Sequence, residues 1–179
     1  MEKNTMNYLK KIISTGAIRK TPKRIIAQIK NEVGVSKEKT IVEVGAGQGE
    51  ITAALLAGTQ ENISSYYAFE IDEEFFRRLK IAFPNIVVLN HNALEFEEII
   101  KPLNSIDYFI SSIPLSFYKK PQIEGFCNNI SRCLKKDGKF IILFTAFWLA
   151  PALKKVLPGI KITPFLTFPP YFLGVYRKL

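Results

Sequence analysis

A chain of 179 residues, 47% hydrophobic and 23% charged, is long enough for one packed core and too apolar for a disordered or fibrous class. Its net charge of +9 points to an anionic partner, and residues 1–40 hold ten Lys and Arg against three Glu. Two cysteines, Cys127 and Cys133, and one histidine make neither a disulfide framework nor a metal site. No secretory leader is expected, and the longest apolar run, FIILFTAFWLAPAL, falls short of the ~20 residues that span a bilayer. The expectation is a cytoplasmic protein.

In chain order, MNYLKKIISTGAI sets Met6, Leu9 and Ile13 on one side with Lys10 and Lys11 beside them. Such a basic amphipathic helix suits either an acidic lipid surface or packing on the sheet edge. Thr21 and Pro22 start a second helix, whose Ile25, Ile26, Ile29 and Val33 share a face until Gly34. These helices form an extension over 1–36 in front of a core over 40–179, and the whole chain is predicted to be one domain. Strand candidates follow at TIVEVG, YYAFEI, NIVVLN, DYFISS and KFIILF, with helical patterns between them. Strands in this rhythm predict an α/β fold, a mostly parallel sheet covered on both faces. The helix over 118–136 is expected to end in KKDG with Gly138 as its stop. IKITPFLTF and YFLGVYRKL read as a closing pair of strands about Pro169 and Pro170, giving seven strands in all.

The first strand runs through IVEVGAGQGE into a helix. Gly45, Gly47 and Gly49 at a strand-to-helix turn let the backbone approach a ligand closely. A dinucleotide fingerprint would need glycine at position 50, where the chain has Glu50, an acid unsuited to cradling phosphate on a helix N-terminus. With Glu43 preceding it, the motif resembles that of class I S-adenosylmethionine-dependent methyltransferases, whose fold is Rossmann-like. The resemblance implies S-adenosylmethionine as cofactor, held by Glu43, Gly45, Ala46, Gly47 and Gly49. Glu70, followed by Ile71, ends the second strand ~20 residues past the glycines, where an acid can bind both ribose hydroxyls. Asn92 and Ala93 stand where these enzymes place Gly-Asp-Ala, and Asn92 offers an acceptor oxygen to the adenine amino group. Ser111, in SSIPLSFY after the fourth strand, completes the cofactor set. His91 is read as a surface or structural residue rather than a base.

SSIPLSFY also borders the methyl acceptor. Adenine-methylating enzymes carry a tetrapeptide of this shape with an aromatic after the proline, to stack on an extruded base. Here the polar lead is Ser112, the proline is Pro114 and the aromatic position holds Leu115. The related ribosomal RNA adenine dimethyltransferases carry a further helical domain, for which no residues are expected beyond YFLGVYRKL. Along TGAIRKTPKRIIAQI, VEVGAGQGEIT, FEIDEEF, SSIPL, LFTAFW and FPPYFLGVYRK the chain resembles the small bacterial phospholipid N-methyltransferases. That resemblance implies a phospholipid amine as substrate and a peripheral enzyme seated on anionic membrane by its basic N-terminal helix. Nucleic acid is the less favoured partner.

Methyl transfer to an amine needs positioning more than a dedicated nucleophile or metal, and no metal is expected. Ser112, Pro114, Tyr118 and Trp148 form the expected catalytic set, the two aromatics facing the cation that successive methylations leave. Phe117 and Phe147 are assigned to core packing. Two alternatives stand beside this reading: an RNA adenine N6-methyltransferase, and a catalytically silent cofactor-binding protein at a membrane surface.

Overall fold

The computed structural model describes residues 20–34, 39–57, 63–101 and 105–179, so the basic amphipathic stretch before Lys20 lies outside the described residues. Seven strands form one sheet: β1 (Lys39–Val44), β2 (Ile63–Phe69), β3 (Val87–Leu89), β4 (Ile106–Ser111), β5 (Leu134–Phe144), β6 (Lys161–Phe165) and β7 (Tyr171–Arg177). Their order is β3-β2-β1-β4-β5-β7-β6. The strands from β3 to β5 pair in parallel, and β7 runs antiparallel to both β5 and β6. Successive strands move outward from β1 in one direction and from β4 in the other. The two central strands therefore flank the point where strand order reverses, which in open α/β sheets is the ligand crevice.

The alternating burial of the strands divides the core into two layers. On one face α1 (Lys23–Val33), α2 (Glu50–Leu56) and α3 (Glu73–Ala82) bury Ile25, Ile29, Leu55 and Leu79 with Ile41, Tyr66, Ile110 and Ile141 of the sheet. On the other lie α4 (Phe96–Ile99), α5 (Lys120–Cys133) and α6 (Leu149–Val156). There Phe109 meets Phe96, Phe126 and Phe140 edge-on, at ring separations of 4.7, 5.9 and 5.8 Å. Full burial of each such side chain contributes about 1.5–3 kcal/mol. No described helix is long and apolar enough to cross a membrane.

Two local expectations are corrected. Helix α5 ends at Cys133, and KKDG lies within β5. Leu134 already pairs with Ile106, and Lys135 Nζ donates to Asp107 Oδ2 at 2.7 Å, so Lys135 serves a strand-end ion cluster rather than a helix terminus. Asp107 also accepts from the Thr40 amide at 2.9 Å, fixing the base of β4 to β1. At the start of α1, Pro22 rather than Thr21 occupies the N-cap. The Thr21 amide turns instead toward Glu50 Oε2, at 3.4 Å.

Candidate active site

All three glycines after β1 adopt left-handed backbone, at φ 75°, 55° and 80° for Gly45, Gly47 and Gly49, but for different reasons. A Cβ on Gly45 would lie 2.9 Å from Ile113 Cγ2, so this glycine lets the loop after β4 close onto the loop after β1. A Cβ on Gly49 would come within 2.6 Å of Phe83 and 2.8 Å of Leu79, so this glycine serves the packing of α3. Around Gly47 the nearest atom would be 3.9 Å away, and the space is open. Gly47 is the position where the loop can lie against a ligand.

The Gly47 amide donates to Glu70 Oε2 at 2.7 Å, and Glu70 Oε1 accepts from the Asp72 amide at 2.8 Å. Asn90 holds the same corner from behind, its Nδ2 donating to the carbonyls of Glu70 and Ile71 at 2.9 and 3.2 Å. Burial raises the Glu70 carboxyl above its ordinary range and outweighs the amide hydrogen bonds that pull it down. Each carboxylate oxygen keeps a lone pair beyond its amide bond, so Glu70 can still accept from ligand hydroxyls.

Glu43 is buried and does not line the cavity, which corrects its expected contact with the cofactor. Its Oε2 accepts from Thr52 Oγ1 at 2.6 Å and from the Tyr66 hydroxyl, while Oε1 is buried without a partner. Burial pushes its carboxyl up to about 7, against the downward pull of Thr52 and Tyr66. Two hydroxyl donors on one oxygen leave the other for the proton. Glu43 thus ties β1 to α2 and β2 beneath the glycine loop.

At the end of β3, Asn92 Oδ1 accepts from the Leu94 amide at 3.1 Å and Nδ2 donates to Glu95 at 2.8 Å. The acceptor oxygen expected to meet an adenine is therefore shared with its own turn. After β4, Ser112 Oγ donates to the Gly45 carbonyl at 2.7 Å, joining the acceptor loop to the glycine loop. A short 3-10 turn at Leu115–Phe117 follows, with Leu115 fully buried.

These elements enclose a cavity of about 370 Å³ at the carboxyl edge of the sheet. Of the expected residues, Gly45, Ala46, Gly47, Glu70, Ile71, Asn92, Ala93, Ser112, Pro114 and Tyr118 line it together. Glu43, Gly49, Ser111 and Trp148 do not. Ser111 is buried below the cavity with its hydroxyl unpartnered, and Trp148 is 62% exposed, stacked edge-on against Phe147. Phe147, expected in the core, is 66% exposed as well, because both rings lie beyond the end of β5. Thr21, Gln48, Phe69, Thr145 and Tyr171 also line the cavity, and although each lies inside one of the motif segments, none carries an expected site role. A signal existed for Glu50, the acid in place of a fingerprint glycine. It opens α2 and lines the cavity with its Oε1 buried and unpartnered.

With Glu50 at the head of α2 and Glu70 across from it, the cavity is unsuited to a pyrophosphate. It fits S-adenosylmethionine, which brings ribose hydroxyls and cationic groups. Glu70 would hold the hydroxyls, and the open Gly47 backbone would lie against the nucleoside. Among the described residues no cluster of His, Cys, Asp and Glu could hold a metal ion.

Residues 41–138, more than half of the chain, match the methyltransferase domain family. Over 79 residues the chain is 34% identical to ribosomal RNA small subunit methyltransferase A of Caldanaerobacter subterraneus subsp. tengcongensis. That match covers 42% of this chain and only 28% of the relative. Among solved structures, the fold is similar to an rRNA methylase from Streptococcus thermophilus, with a TM-score of 0.65 and 17% identity over 90% of this chain and 99% of that one. It is also similar to a SAM-dependent methyltransferase from Aquifex aeolicus, with a TM-score of 0.63 and 16% identity over 86% and 89% of the two chains.

Proposed function

Since the chain belongs to the methyltransferase domain family, with S-adenosylmethionine as its methyl donor, we propose that it is an N-methyltransferase acting on the amine of phosphatidylethanolamine-type phospholipids. The observation that carries this reading is Leu115. It stands where a base-methylating site presents an aromatic face, and it is fully buried. When bound, the cofactor would supply an electrophilic methyl group on its sulfonium to a neutral amine. The chain's part is to position the acceptor. Ser112 has committed its hydroxyl proton to Gly45, so its lone pairs face an amine N–H as acceptors only. Burial keeps the Tyr118 phenol above its ordinary range and so neutral, offering an aromatic face to a methylated ammonium.

A second reading, methylation of adenine in RNA, is favoured by the similarity to ribosomal RNA small subunit methyltransferase A. The two are separated by mass spectrometry after incubating the protein and S-adenosylmethionine with phosphatidylethanolamine vesicles containing anionic lipid, or with unmodified ribosomal RNA. The lipid reading expects mass gains in methyl steps on the lipid alone. Methylated adenine with unchanged lipid overturns it, and no product on either leaves the silent cofactor-binding alternative standing.

A further inference from the structure

The β6–β7 connection ends on the same edge of the sheet as the cavity. Phe144 at the end of β5 pairs with Phe172, and Phe165 at the end of β6 pairs with Tyr171, which lines the cavity. Residues 166–170 therefore form a turn at the rim. Leu166 is 100% exposed and Phe168 90% exposed. Phe147 and Trp148 stand exposed at the end of β5, and Phe117 lines the cavity while 38% exposed. Three separate segments thus bring large apolar side chains to one rim, where water solvates them poorly.

The turn is held in shape from within. The Thr167 amide donates to the Phe165 carbonyl at 2.9 Å, and Thr167 Oγ1 donates to the Pro169 carbonyl at 2.7 Å. Pro169 and Pro170 have no N–H to satisfy. Charge points to an anionic partner. Lys119 and Lys120, both exposed, follow Phe117 and Tyr118 directly, exposed Lys20 lines the cavity, and Lys154 and Lys155 are exposed on α6. Basic side chains flanking exposed aromatic and aliphatic tips match an anionic lipid interface.

We propose that the 166–170 turn, with Phe147 and Trp148, enters the interfacial layer of an anionic bilayer and holds the cavity mouth against it. This surface rests on the phospholipid reading above, and it is separate from any contribution of residues 1–19. It delivers a headgroup amine to the cavity without the lipid leaving the membrane. Trp148, assigned above to the catalytic set from its sequence position, acts here as an interfacial anchor.

The chain's single tryptophan makes the test direct. The full-length protein is titrated, without cofactor, with vesicles of phosphatidylethanolamine and phosphatidylglycerol, some brominated along the acyl chains. Trp148 emission is expected to shift to the blue and to be quenched by the bromines. Leu166→Ser/Phe168→Ser is expected to weaken partitioning about tenfold or more, since two large apolar side chains no longer leave water. Its melting temperature and cofactor affinity should match the parent's. Unmoved Trp148 emission, or equal partitioning of the double variant, overturns the proposal. Quenching by a ribonucleotide oligomer with no response to vesicles overturns it in favour of a nucleic-acid surface. Methylation of detergent-dispersed phosphatidylethanolamine reports on the acceptor separately. Vesicle insertion without it removes the substrate reading and leaves the surface, whereas methylation without insertion removes the surface alone.

Discussion

The Gly47 amide donates to Glu70 Oε2 at 2.7 Å, so the turn after β1 and the end of β2 behave as one unit. The open side of Gly47 and the free lone pairs of Glu70 then face the same cavity. A carboxylate that positions the loop and also binds ribose hydroxyls should be costly to remove. Hydrogen bonds to charged groups contribute about 1.5–3 kcal/mol each. Glu70→Ala is expected to weaken S-adenosylmethionine binding by roughly 100-fold, the loss of two such bonds at the lower figure. Titration calorimetry checks this, and unchanged affinity would remove Glu70 from the ribose site.

Gly45 and Gly47 share a left-handed backbone, yet alanine should harm them differently. At Gly45 the new methyl meets Ile113 Cγ2 at 2.9 Å and the Ile113 amide at 3.1 Å, so the loop after β4 must move. At Gly47 nothing lies within 3.9 Å, and the cost is the left-handed conformation alone, about 1–2 kcal/mol. Gly45→Ala should therefore lose more thermal stability than Gly47→Ala. The latter should spend a larger share of its effect on cofactor affinity, because its methyl points into open space. Paired melting temperatures and dissociation constants decide it. Equal losses of stability would mean that Ile113 yields without cost.

Much of this architecture was legible in the chain. The glycine loop, the acid ending β2 and SSIPLSFY each announce a strand end, and a parallel sheet brings strand ends together without further information. What stayed hidden depends on contacts between distant segments. Phe147 and Trp148 form the turn between β5 and α6, whose direction no local pattern fixes, and they fall on the rim rather than in the cavity or the core. KKDG carries the signs of a helix stop, but pairing of Leu134 with Ile106 extends the strand through it. Tyr66 and Glu43 lie 23 positions apart on neighbouring strands, and their hydrogen bond follows only from the sheet register.

That buried pair supplies a pH-dependent signature. The Glu43 carboxyl is raised by burial to about 7, well above its value of 4.5 in an unfolded chain. Between those values the folded protein holds a proton that the unfolded chain has released. Stability from this group is thus fully present below pH 4.5 and is lost as pH rises through about 7. Across the whole window the loss is at most about 3 kcal/mol, since a tenfold difference in proton affinity corresponds to about 1.4 kcal/mol. Glu43→Gln keeps an oxygen to accept from Thr52 and Tyr66 but cannot titrate. Glu70 is also raised by burial and titrates with the same sign, so the informative quantity is the difference between parent and variant. Melting temperatures from pH 5 to 8 should show the parent losing ground to Glu43→Gln as pH rises. Tyr66→Phe removes a donor that holds the carboxyl down, and should move the window to higher pH. A parent-minus-variant difference that stays flat across the range would mean Glu43 is ionised throughout, and that the hydroxyls of Thr52 and Tyr66 outweigh its burial.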